Sequence, residues 1–173
     1  LGLCRDVDGA EVTIFSSETG LTRFASNYIH QNVVNRSATV QVRVVLGKRL
    51  GHAQTDRLDA EGLKRVVENA MAIARHSAEN PTFGGLLEAS PVSAVDVFRP
   101  STERYCVENR AIAVADVIGQ AKAKGLTAAG AFETGVREFG VANSRGVFLY
   151  NPATVADFST VIMSDDSAGY GGA

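Results

Sequence analysis

Arg23-Phe24-Ala25-Ser26-Asn27-Tyr28-Ile29-His30-Gln31-Asn32 reads as a short apolar strand, a reversal at Asn27 and a returning strand. Asparagine tolerates the left-handed backbone that a tight reversal needs, which makes Asn27 the turn residue. The pattern is echoed far along the chain by Arg137-Glu138-Phe139-Gly140-Val141-Ala142-Asn143-Ser144-Arg145-Gly146. Each copy precedes an Ala-Thr-Val strand, at 38–40 and at 153–155. Val67-Glu68-Asn69 likewise recurs as Val107-Glu108-Asn109. These matches admit an internal pseudo-repeat; chance recurrence of Val- and Ala-rich triplets is the other reading.

Working outward, Glu11–Ser16 alternates apolar and polar residues as a half-buried strand does. Glu18-Thr19-Gly20 reads as a turn, and Leu21–Ala25 resumes the strand. Tyr28–Val34 returns. Val40, Val42, Val44 and Leu46 share one strand face, with Gln41 and Arg43 on the other. Gly47-Lys48 turns the chain into a partner strand over Arg49–Thr55. Asp59 is placed to cap a helix running to about Ser77, with Glu61 in its first turn. Leu63, Val66, Val67, Ala70, Ile73 and Ala74 form that helix's apolar stripe. Residues 79 to 100 hold three of the four prolines and Gly84-Gly85, and read as a long irregular crossing segment. Ser101 is expected to cap a second helix to Lys124, ended by Gly125, with Val107, Ala111, Val114, Ala115, Ile118 and Ala121 buried. Strands follow at 128–134, 137–141, 147–150 and 155–163, and Tyr170-Gly171-Gly172-Ala173 reads as linker. The expected fold is α/β of the α+β type: a mostly antiparallel sheet with two helices on one face, in a single domain over 1–173.

The chain has 173 residues, 45% of them hydrophobic, which suits one domain with its own core. A net charge of −2 with scattered Lys and Arg gives no footprint for nucleic acid or membrane surfaces. Cys4 and Cys106 are too few and too far apart for a disulfide scaffold, so both read as reduced thiols in a cytoplasmic protein. No signal peptide or apolar run of membrane-spanning length is present. The missing initiator Met and the glycine-rich end suggest a fragment.

Catalytic motifs are sparse. A catalytic zinc site needs three ligands, commonly two His at helical spacing, with a Glu as base. His30, His52 and His76 have no such spacing, and none is followed by Glu. Cys106, in the first turns of the second helix, has a favoured thiolate on one reading and is a small core hydrophobe on the commoner one. Asp165-Asp166 more simply end a strand than form an acid–base pair, and the C-terminal glycines lack a phosphate-loop Lys. Two polar clusters remain: Arg23, Asn27, Gln31 and Asn32, and Arg137, Asn143, Ser144 and Arg145. Turn chemistry on a solvated strand face accounts for them most simply. The functional alternative is binding of an extended peptide by strand addition, with Arg23, Asn27, Gln31, Asn32, Asn143 and Arg145 as contacts.

The Arg23–Asn32 stretch, Asp56–Ala70 (DRLDAEGLKRVVENA) and Phe132–Gly146 (FETGVREFGVANSRG), in that order and spacing, resemble the N-terminal domain of the TldD/PmbA family. The resemblance covers about Gly9 through Ser164. Members are metallopeptidases also called modulators of DNA gyrase. It implies zinc-dependent cleavage of unfolded or small peptides, including maturation of peptide antibiotics. It also implies a homodimer or a dimer of paralogues, one of which can be non-catalytic. The family's HExxxH motif lies after this domain and is missing here, so the chain alone is expected to bind no metal and cleave nothing. Zinc is expected in the longer parent. The implied role is to gate substrate access and support dimer contacts; a non-catalytic PmbA-type scaffold domain is the alternative. A free-standing peptide-binding module is a third, more distant reading.

Overall fold

The computed structural model describes residues 1–173. Its elements are β1 (Gly9–Ala25), β2 (Tyr28–Leu46), β3 (Arg49–Thr55), α1 (Ala60–His76), α2 (Pro100–Glu103), α3 (Val107–Ala123), β4 (Thr127–Asn143), β5 (Phe148–Met163) and β6 (Ala168–Gly172). The strands make one sheet in the order β3-β2-β1-β4-β5-β6. That order runs outward in sequence from the central β1–β4 pair on both sides, as a pseudo-repeat would. Two compact units share these strands. The first comprises 1–16, 37–96 and 138–151, the second 17–36, 97–137 and 152–173.

In the first unit, β2 and β3 pair antiparallel from Val40↔Thr55 to Leu46↔Arg49, around the expected Gly47-Lys48 turn. Val40, Val42 and Val44 point to one side because strand side chains alternate, and there they meet Val66, Val67, Ala70 and Ala74 of α1. Leu63 joins this cluster at its margin, whereas Ile73 is exposed. Gly51 lets the helix come close: a Cβ there would stand 2.5 Å from the Ala74 nitrogen and 2.9 Å from its Cβ.

Asp59 caps α1, its Oδ1 accepting from the Gly62 N–H at 2.7 Å. That bond, then the Arg57 guanidinium, hold the Asp59 carboxyl below its ordinary range. The folded state therefore favours the carboxylate. Its contribution is complete above the unfolded-state pKa and fades as pH falls through the lower folded value. Asp59→Ala is expected to lower the thermal midpoint at neutral pH, and the gap from wild type should close in strong acid. A gap that stayed constant with pH would refute the cap.

Residues 78–99 contain no helix or strand, as expected from the prolines. The segment is pinned where its backbone meets the first unit. The Asn80 N–H donates to the Lys48 carbonyl at 2.9 Å, and the Ala89 N–H to that of Arg145 at 3.4 Å.

In the second unit, α3 lays Val114, Ile118 and Ala121 on Phe24 and Ala128. Phe24, Phe158, Phe132 and Tyr105 continue this core as a chain of ring contacts, with centroids 5.5–6.1 Å apart. The sheet edge is finished by β6, which pairs antiparallel with β5 from Ser159↔Gly172 to Met163↔Ala168.

Four expectations are corrected. Glu18-Thr19-Gly20 is not a turn but the middle of β1, because Gly20 clears space for a buried arginine described below. The strands expected at 128–134 and 137–141 are one, as are those at 147–150 and 155–163. The helix expected from Ser101 is broken at 104–106 into α2 and α3. Tyr105 turns its carbonyl into the core, where it accepts from Arg110 Nη1 and Thr134 Oγ1, both at 3.1 Å, and so cannot serve a helix ladder. Cys106 thus sits at the N-cap of α3, its N–H donating to Asn109 Oδ1 at 3.2 Å. Finally, Tyr170, Gly171 and Gly172 of the supposed linker lie in β6.

Candidate peptide-binding edge

The reversal at Ser26-Asn27 has only two residues, both left-handed, with φ of 49° and 63°. Such a turn matches strand twist and holds the hairpin tightly. The Asn27 side chain works as a strand substitute: Nδ2 donates to the Leu126 carbonyl at 2.9 Å and Oδ1 accepts from the Ala128 N–H at 2.7 Å. Its echo Asn143 is buried, with Oδ1 accepting from Arg145 and Val147 N–H and Nδ2 donating to the Leu87 carbonyl at 2.9 Å. Both asparagine amides are thereby committed to the fold.

The six residues expected to contact peptide divide between the units. Arg23, Asn27, Gln31 and Asn32 lie on the β1–β2 hairpin of the second unit, and Asn143 and Arg145 at the β4–β5 turn of the first. Arg23, Gln31, Asn32 and Arg145 are exposed. Arg23 Nη1 comes within 3.5 Å of Gln31 Oε1. Asn32 Oδ1 accepts from the Thr22 hydroxyl at 2.6 Å.

Thr22 leads to a group that sequence reading missed. Arg110 on α3 is 4% exposed, and the groups bonded to it include no carboxylate. Its Nε donates to Thr22 Oγ1 at 3.2 Å, and Nη1 donates to Thr134 Oγ1 at 2.8 Å and to the Tyr105 carbonyl. The guanidinium lies over Gly20, where a Cβ would stand 2.7 Å from Cζ. The signal was present: Arg110, Val114 and Ile118 are four residues apart, on one helical stripe.

Beyond the hairpin, Leu21, Ala131, Glu133, Arg137 and Thr154–Asp157 line an open hollow of about 610 Å³ in the second unit. Arg137 pairs with Glu133 there at 3.2 Å. The residues present do not fit a zinc centre. No three His, Cys, Asp or Glu side chains converge, and His30 packs edge-on against Tyr28. Cys4 and Cys106 are both free thiols. No helix is long and apolar enough to cross a membrane.

A six-stranded antiparallel sheet with two long helices, its β1–β2 turn locked by Asn27, makes a mixed α+β fold. Residues 10–74 match the family model described as PmbA/TldA metallopeptidase domain 1. No curated protein matches the sequence. Among solved structures, the chain is similar to TldE from Thermococcus kodakarensis, with TM-score 0.86 and 19% identity, over 96% of this chain and 40% of that one. It is also similar to a candidate modulator of a DNA gyrase from Thermotoga maritima, with TM-score 0.78 and 12% identity, over 95% and 38%. A third, from Bacteroides thetaiotaomicron, gives TM-score 0.63 and 16% identity, over 96% and 40%. The chain therefore spans about two fifths of the length of these relatives. The family match thus lies in residues 10–74, and the likeness to the three solved structures is one of fold.

Proposed function

We propose that this chain is the substrate-gating, dimer-supporting domain of a TldD/PmbA-type zinc metallopeptidase acting on unfolded or small peptides in the cytoplasm. The observation that carries the reading is the match of residues 10–74 to a metallopeptidase first domain. Exposed Arg23, Gln31 and Asn32 are the side chains of the second unit that meet the peptide; in the first unit the exposed candidate is Arg145. Zinc belongs to the longer parent, and the working assembly is a homodimer or a pair of paralogues.

The test compares metal content and peptide cleavage for the complete reading frame and for these 173 residues. Zinc and chelator-sensitive cleavage are expected in the longer protein alone. About one tightly bound zinc per 173-residue chain would overturn the assignment. No zinc and no cleavage in either would make this the domain of a non-catalytic PmbA-type scaffold.

A further inference from the structure

The outer stretch of β2 has a partner on one side only. β3 is the last strand of the sheet on that flank, and its register with β2 ends at Val40↔Thr55. Every residue from His30 to Arg36 is exposed. Strand edges left in this state are normally blunted by proline, lysine or a covering loop, because their free N–H and C=O groups template another strand. Tyr28–Arg36 contains no proline and no lysine.

The charge along this edge is one-sided. The sequence has no Asp or Glu between Glu18 and Asp56, whereas Arg23 and Arg36 flank the exposed stretch. Glu18 answers Arg36 at 2.8 Å; Arg23 forms no ion pair. Tyr28, Val33 and Val34, exposed at 58, 39 and 61%, add apolar contact.

We propose that the outer edge of β2, from Ile29 to Arg36, binds an extended acidic peptide segment as an added strand. Main-chain bonds supply the attachment and Arg23 selects for carboxylates. A second copy of this chain is the less suitable occupant, since the one acid beside its own edge, Glu18, is already paired with Arg36. The assignment deepens the peptide-handling reading above by naming the surface and the charge class of the segment bound.

The test uses the 173-residue chain and two labelled decapeptides, one alternating Val and Glu, the other Val and Lys, followed by fluorescence anisotropy. The Glu peptide is expected to bind about tenfold tighter or more than the Lys peptide, and to weaken as salt rises. Arg23→Glu should remove that preference. Val33→Pro and Val34→Pro distinguish the edge from the rest of the surface, because neighbouring N–H groups point to opposite sides of a strand. One of the two should keep its melting temperature and lose the peptide. Binding of neither peptide, equal binding of both, or binding untouched by both prolines would overturn the proposal. So would a concentration-dependent dimer abolished by the tolerated proline, which would place a second copy on the edge. Loss of zinc-dependent cleavage by the longer protein would refute the peptidase reading while leaving this binding result intact.

Discussion

Gly51→Val is expected to cost the first unit about 3 kcal/mol or more, an upper-range value for overpacking. The site has no room for a side chain. A Cβ at Gly51 would run into the Ala70 carbonyl and lie 2.5 Å from the Ala74 nitrogen, and both are helix backbone, which has no rotamer to change. Relief requires α1 to lift from β3. Lifting it uncovers Val66, Val67, Ala70 and Ala74, together with the valines of β2 they cover. Even Gly51→Ala should destabilise, against the usual preference for alanine over glycine. Gly119→Ala on α3 is the contrasting control. No atom lies within 4 Å of its added methyl, and a helix-interior glycine replaced by alanine gains about 1 kcal/mol. Urea unfolding of the three variants should therefore give both signs, and amide exchange across 60–76 should rise only for the Gly51 variants. Unchanged stability in Gly51→Val would mean the helix does not approach β3 this closely.

Arg110→Ala is expected to cost a similar amount, about 3 kcal/mol, for a different reason. The truncation leaves a void the length of an arginine. It also strips a donor from Thr22 Oγ1, from Thr134 Oγ1 and from the Tyr105 carbonyl. Two bonds soften the loss: Thr134 still donates to Tyr105, and Thr22 still donates to Asn32. Arg110→Met fills most of the void and leaves no buried charge to desolvate, so it should cost less, about 1–2 kcal/mol. The expected order is wild type, then Met, then Ala, read from urea midpoints. Gly20→Ala pushes on the same guanidinium, so its effect should shrink in the Arg110→Ala background, because contacting residues are not additive. Full additivity, or an alanine variant within 0.5 kcal/mol of wild type, would contradict this packing.

What the sequence disclosed was what neighbouring residues decide. Asn27 declared its turn, the Val40–Leu46 alternation its face, and Asp59 both its cap and its helix, because each depends on contacts within a few positions. The failures lie where a distant residue overrides local preference. Glu18-Thr19-Gly20 has turn composition, yet its glycine answers an arginine ninety residues away in sequence. The break before Cys106 follows from Tyr105 serving Arg110 and Thr134. The glycine-rich end becomes β6 only because β5 has an edge to pair with. For the candidate site, Arg23, Gln31 and Asn32 were legible as an exposed polar strand. The commitment of the Asn27 and Asn143 amides to the fold was not, since their partners at Leu126, Ala128 and Leu87 lie on other elements.

The six segments that alternate between the two units have a consequence at the level of the gene. The chain enters and leaves each unit repeatedly, at 16–17, 36–37, 96–97, 137–138 and 151–152. No single breakpoint in the coding sequence divides one unit from the other. A crossover anywhere from residue 17 to residue 150 would deliver neither unit whole. The two must be inherited together, and a ribosome has to reach the last strands before either can close.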